Sequence, residues 1–184
     1  MNWKRLIVIV PAVAALLICR GWLYGLVVQK YVSPEAACSI EVPSGWRIVK
    51  DTPRLFVAYR PRAEPEEIAY EHIVLRTADV GGDDFNADYL RHLEDLDERL
   101  KDLTIVSQST DEIGGVEVRR LDYSFRDSFL SLAVLARARQ WLIFRNRRMY
   151  LITGIATVDS FQKYAPLFRN IAESFHLLEE KGGE

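Results

Sequence analysis

From Asp84 onward the apolar positions fall into a helical period. Tyr89, Leu93, Leu96, Leu100 and Leu103 recur at spacings of four, three, four and three, which places all five on one face of a helix. Asp83 or Asp84 suits the N-terminal cap. Arg91 with Asp95, Asp95 with Arg99 and Asp97 with Lys101 are opposite charges four apart along the exposed side. Elsewhere the period is two. Cys38 to Val42, Trp46 to Val49, Leu55 to Tyr59 and Ala69 to Thr77 read as strands, separated by a Pro43-Ser44-Gly45 turn and a loop from Pro61 to Glu67, and Trp46 is expected in the core. Ile105 to Gln108 is a short strand. Beyond a Gly114-Gly115 turn, Val116 to Phe125, Leu132 to Phe144 and Met149 to Thr157 follow, the last two joined by a tight hairpin at Arg145-Asn146-Arg147-Arg148.

The strand from Leu132 to Phe144 carries the architectural information. Leu132, Val134, Ala136, Ala138, Leu142 and Phe144 share one face, while Leu135, Trp141 and Ile143 make parts of the other face apolar too. A strand buried on both sides needs cover on both sides, which predicts an α+β fold: an α/β/α sandwich around a central antiparallel sheet. The final helix is expected to begin with Asp159 as its cap and Gln162 three residues later, burying Phe161, Phe168, Ile171, Ala172 and Phe175. Pro166 within it predicts either a kink near Tyr164 or a short turn followed by a second helix starting at Pro166. Glu179 to Glu184 reads as a polar, disordered tail.

Ahead of this domain lies Leu6 to Val28, an apolar run with one charge, Arg20, preceded by Lys4 and Arg5. A helix of that length reaches about 34 Å, enough to cross a hydrocarbon layer of roughly 30 Å with some tilt. A cleaved signal would end sooner and with small residues, whereas here Arg20, Gly21, Trp22, Leu23 and Tyr24 lead back into Gly25, Leu26, Val27 and Val28, so the segment reads as a retained single-pass transmembrane anchor. Arg20 can snorkel, and Trp22 and Tyr24 suit the membrane interface. The basic residues that stay behind place residues 1–5 in the cytoplasm and the domain, residues 37–178, on the other side of the membrane, periplasmic in a bacterium, with Gln29 to Ala36 as a short linker.

The net charge of −2 changes little, but its distribution is lopsided. Asp83 to Asp102 is dominated by acids. Arg119 to Arg148 holds Arg119, Arg120, Arg126, Arg137, Arg139, Arg145, Arg147 and Arg148 against Asp122 and Asp127. Arginine's planar fork suits carboxylates, phosphates and aromatic faces, and it is enriched at interfaces where lysine is depleted. On adjacent strands these residues form either one basic patch for a partner or a scattered set paired with the acidic helix. Cys19 and Cys38 fall in the membrane segment and the first strand, so no internal disulfide is expected. His72, His92 and His176, in a strand, a helix and the final helix, have no ligand spacing and read as surface or boundary residues. No strand-turn-helix serine elbow and no glycine-rich phosphate loop is present. Neither a metal nor another cofactor is implied.

Three local patterns carry a resemblance: Ser39-Ile40-Glu41-Val42-Pro43-Ser44-Gly45-Trp46, Arg148-Met149-Tyr150-Leu151-Ile152-Thr153-Gly154, and Phe168, Ile171, Ser174 and Phe175. Over Cys38 to Leu177 the chain resembles the PsbP-like superfamily, which includes the extrinsic subunit of photosystem II, a Ran-binding nuclear import factor and DcrB-type envelope lipoproteins. That resemblance implies the α/β/α sandwich and a role in docking on larger assemblies without a shared catalytic centre. The chain lacks the lipoprotein members' lipidation signal, and its helical anchor stands in for it. The expectation is a non-enzymatic accessory or assembly subunit on an integral membrane protein complex, held to the bilayer by Leu6 to Val28. The alternative is a tethered binding protein for a small ligand or lipid headgroup. Nucleic acid is not an expected partner on that side of a membrane.

Overall fold

The computed structural model describes residues 27–52, 54–64, 69–80 and 84–178. In chain order the elements are β1 (Val28–Ser33), β2 (Cys38–Pro43), β3 (Arg47–Thr52), β4 (Leu55–Tyr59), β5 (His72–Asp79), α1 (Phe85–Arg99), β6 (Lys101–Ile113), β7 (Val116–Phe129), β8 (Leu132–Arg145), β9 (Arg148–Thr157), α2 (Phe161–Glu173) and β10 (His176–Leu177). Seven strands form one sheet in the order β3-β4-β5-β9-β8-β7-β6, every neighbouring pair antiparallel, and β1-β2-β10 form a small second sheet.

Both faces of the large sheet are covered, as the two-sided apolar pattern of β8 requires. On one face Phe56, Ile73, Trp141, Ile143, Tyr150 and Ile152 pack against Phe161, Phe168 and Ile171 of α2 and against Cys38, Ile40 and Val42 of β2, with Trp46 also buried there. On the other, Leu121, Tyr123, Phe125, Leu142 and Leu151 pack beneath Tyr89 and Leu96 of α1. Alternation along β8 sends Trp141 to the first core and Leu142 to the second. The result is an α+β sandwich with a helix on each side.

Asp84 caps α1, its Oδ1 accepting from the amides of Asn86 (2.9 Å) and Ala87 (3.1 Å). The helix ends at Arg99, one turn before the periodic pattern does: Leu100 is its C-cap and Leu103 already lies in β6, although both still pack against the α1 core. Lys101 is therefore off the helix and cannot pair with Asp97 there. Arg91 bonds Asp88 (3.0 Å) instead of Asp95, while Asp95 and Arg99 meet at 2.7 Å as expected. The expected hairpin at Arg145–Arg148 is a two-residue turn with Asn146 and Arg147 at φ 51° and 57°.

Four expectations are corrected. Gln29 to Ala36 is no linker, because β1 begins at Val28 and pairs residue by residue with β2, from Val28 opposite Pro43 to Ser33 opposite Cys38. Val28 thus belongs to the domain rather than to the apolar run. Ile105 to Gln108 is the middle of a 13-residue strand whose polar residues lie on an open sheet edge, where no apolar alternation is required. No second helix starts at Pro166, because α2 is one helix through it; the carbonyl that loses its donor belongs to Gln162, which is exposed like Pro166 itself, so water can satisfy it. Its cap is Ser160 and not Asp159, and the Ser160 hydroxyl bonds Glu71 (2.8 Å) instead of the helix. Residues 1–26 and 179–184, with the anchor and tail assigned to them, lie outside the described residues.

At Gly154 of β9 the Phe168 side chain of α2 packs directly on the strand backbone. A Cβ there would lie 2.3 Å from Cγ of Phe168. Gly154→Ala is therefore expected to destabilise the domain by about 1–3 kcal/mol through overpacking. Chemical denaturation with an unchanged m-value checks it, and a loss below about 0.5 kcal/mol would show that α2 is free to lift.

Candidate functional site

Strand alternation separates the arginines that the sequence groups together. Arg120, Arg137 and Arg139 lie on the α2 side of the sheet, Arg119 lies on the α1 side, and Arg145, Arg147 and Arg148 cluster at the β8–β9 turn. They form neither one patch nor a set paired with the acidic helix. Their acidic partners among the described residues are Asp111 and Asp122, from strands, for the first group, and Asp79 for Arg148. Arg126, on β7, pairs with Asp102 (2.8 Å). Arg20, Trp22 and Tyr24 lie outside the described residues.

The α2-side group is the most ordered. Arg139 meets the buried Asp122 as a fork, Nε to Oδ1 at 2.8 Å and Nη2 to Oδ2 at 2.9 Å. Asp111 accepts from Trp141 Nε1 (3.2 Å) and Arg169 Nη1 (3.2 Å), with Arg120 Nη1 at 3.5 Å. Burial pushes the Asp111 carboxyl up, but the Glu112 amide, the Trp141 indole and the charges of Arg169 and Arg120 outweigh it and hold the group below the usual range. Arg137 differs from its neighbours. Its guanidinium lies over the ring of Phe161 at 5.0 Å and no carboxylate among the described residues meets it; its Nε, like that of Arg120, is buried without a hydrogen-bond partner there. Beside it on the same strand face Leu135 is 57% exposed and, with Val158 at 38%, forms an apolar step; the Val158 amide bonds the Leu135 carbonyl at 3.0 Å. A half-buried cation beside exposed aliphatic surface is equipped to bind an anion.

Other sites offer less chemistry. Arg148 reaches the Glu35 carbonyl (3.0 Å) and Asp79 (3.6 Å). Two clefts flank the sheet on the α1 side: one of about 560 Å³ contains Arg119, and one of about 650 Å³ is lined by Tyr59, Arg60, Phe129 and Leu130. Among the described residues no group of three His, Cys, Asp or Glu side chains is arranged to hold a metal ion, and no helix is long and apolar enough to cross a membrane. Cys38 is buried, which pushes its thiol up to about 11 and makes it unreactive.

The histidines also depart from expectation. His176 is exposed but lies in β10, because α2 ends at Glu173. His72 and His92 are buried. His92 Nε2 meets Gln140 Oε1 at 2.6 Å, and the Gln140 amide passes the chain on to Thr153 Oγ1 at 2.8 Å, beneath α1. His72 Nδ1 meets the Tyr70 carbonyl at 2.6 Å, and its ring stacks on Tyr59. Nothing in the sequence marks this burial, since it depends on which strand face α1 covers.

Taken by its architecture, the domain is a seven-stranded antiparallel sheet between two helices, with fixed cations on its open flanks. No family model and no curated protein sequence matches the chain, but solved structures share the fold. The cyanobacterial PsbP (CyanoP) of Synechocystis matches with a TM-score of 0.56 at 15% identity, covering 82% of this chain and 92% of that one. The Ran-binding protein Mog1p of Saccharomyces cerevisiae matches with a TM-score of 0.56 at 15% identity, over 83% and 96%. LpqN of Mycobacterium tuberculosis, involved in cell envelope biogenesis, matches with a TM-score of 0.53 at 17% identity, over 75% and 81%. The fold implied by the sequence patterns is thus the fold observed.

Burial disfavours the charged forms of His72 and His92 and lowers both below their ordinary value of 6.5. The unfolded chain therefore binds these protons first, and stability held above about pH 6.5 is lost as the pH falls below it. His92→Gln is expected to flatten the fall in Tm between pH 7 and pH 5. Parallel curves for the variant and the parent would place the loss elsewhere.

Proposed function

We propose that this chain is a non-enzymatic accessory subunit that docks on an integral membrane protein complex through the α2-side arginine surface, held at the bilayer by the apolar run that starts at Leu6. The observation that carries the reading is Arg137: a half-buried guanidinium, stacked on Phe161, without a carboxylate, beside exposed Leu135 and Val158. An acidic side chain next to an aliphatic one on a partner would supply both missing contacts. Arg139 is already neutralised by Asp122 and acts by holding the surface in shape. The absence of a linker adds support. With β1 starting at Val28, the domain would sit directly on the membrane, and the exposed Val28, Lys30 and Val32 on the outer side of β1 suit such a position. Tethering raises the effective concentration, so a weak contact would be occupied. Mog1p is a Ran-binding protein, a precedent for protein recognition on this fold.

The full-length protein, tagged, cross-linked in sealed vesicles and purified in detergent, is expected to carry one stoichiometric membrane complex. Arg137→Glu with Leu135→Asp is expected to reduce its recovery at least tenfold without changing Tm by more than a few degrees. Recovery as a free monomer holding a small molecule would favour a tethered ligand-binding protein instead. Protease added to the outer face of right-side-out vesicles is expected to remove the domain; protection there, with digestion from the cytoplasmic side, would reverse the orientation.

A further inference from the structure

β6 ends the seven-stranded sheet, and among the described residues nothing pairs with its outer edge. Its inner edge keeps unbroken register with β7 from Ser107 opposite Asp122 to Ile113 opposite Val116. The Glu112 amide already donates to Asp111 Oδ1 (2.9 Å), and the other outward-directed amides and carbonyls of that stretch have no partner among the described residues and can pair with another extended chain. Sheet edges are ordinarily guarded by bulges, lysines or prolines. Here the register shifts are confined to the first half, between Lys101 and Thr104 and between Ile105 and Ser107. Ser107-Gln108-Ser109-Thr110 has no charge, no proline and no bulge, and its side chains are exposed.

Beside this edge lies the cleft of about 560 Å³, between Phe85, Asn86 and Tyr89 of α1 and Gln108, Thr110, Glu117 and Arg119. Arg119 is held between the rings of Phe85 (4.8 Å) and Tyr89 (4.6 Å), and its Nη2 donates to Asn86 Oδ1 at 2.6 Å. The Tyr89 hydroxyl is tied to Gln108 at 2.8 Å. Among the described residues Arg119 has no carboxylate partner. It stands opposite Thr110, whereas two residues along β6 Glu112 stands opposite Glu117. The edge therefore presents a cation and then a pair of acids at a spacing of two residues, the repeat of one face of a strand.

We propose that β6 and this cleft form a strand-adding groove for an extended peptide segment of a protein partner, paired antiparallel along Ser107–Ile113, with a basic side chain facing Glu112 and, two positions later, an acidic one facing Arg119. Main-chain bonds supply affinity, and the charge order sets register and direction. An added strand lies about 4.8 Å beyond β6, so its side chain must span roughly two strand spacings to Arg119, within reach of a glutamate meeting an arginine. This groove is on the opposite face from Arg137 and does not depend on the docking surface there.

The test uses the isotopically labelled protein and synthetic seven-residue peptides alternating valine with polar positions. One has lysine two positions before glutamate, one has the reverse order, and one has threonine at both. Amide hydrogen exchange and chemical shifts are followed during titration. The lysine-first peptide is expected to slow exchange at outward amides within Ser107–Ile113 at least tenfold and to bind at least tenfold more tightly than either control. Arg119→Glu is expected to abolish that preference. Equal binding of the two charge orders, or shifts at Arg119 without amide protection in β6, would overturn the groove. Protection that rises with protein concentration alone, together with a dimer mass in light scattering, would mean that a second copy of this chain occupies the edge and would overturn the assignment to a partner. The peptide comparison on the unaltered protein decides the question even if Arg119→Glu fails to fold.

Discussion

Everything in this domain follows from a central strand pair that cannot be left wet on either side. β8 and β9 are apolar on both faces over the register from Trp141 opposite Ile152 to Phe144 opposite Met149. Fully burying each large apolar side chain contributes about 1.5–3 kcal/mol, and Trp141, Leu142, Leu151 and Ile152 all lie in that region. Only cover on both sides realises it. α1 covers one face and α2 with the small sheet covers the other, and Gly154 gives Phe168 the space it needs for the second contact.

Two helices of 15 and 13 residues do not cover seven strands, and the strands left at the flank take on a different chemistry. Where β7 and β8 pass beyond α2, the side chains change from Trp141 to Arg139 and Arg137, and the aromatic ring of Phe161 at the helix start becomes a support for guanidinium groups. Carboxylates on neighbouring strands hold most of these cations. Because Asp122 is nearly inaccessible, its bond to Arg139 is shielded from salt and rigid in a way that surface ion pairs are not. The flank is thus a built surface of fixed charge, and among the described residues Arg137 is the one of this group that no carboxylate meets.

The exposed side of β1, the α2-side flank and the free edge of β6 belong to one small body with separate outward surfaces. One rigid frame can thus present several outward surfaces at the same time. CyanoP and Mog1p share the same sandwich frame.

Much of this was legible before any coordinates. The four-three spacing from Tyr89, the glycine turns at Gly45 and Gly114, the Arg145–Arg148 hairpin and the two-sided apolarity of β8 are local patterns, and local physics decides them. Reading β1 as a linker failed because its partner, β2, is what makes Val28–Ser33 a strand; a short polar stretch of five or six residues has no signature of its own. The length of β6 was hidden for the same reason, and α2 tolerates Pro166 on its exposed side, where Gln162, whose carbonyl loses its donor, is also exposed. The sequence by itself determined the elements, the need for cover on both faces and the excess of arginine. Only the tertiary structure decided which arginines share a face, that His72 and His92 are buried and that β6 lies at a sheet edge without an outer neighbour among the described residues, because strand alternation and pairing convert positions far apart in the chain into neighbours.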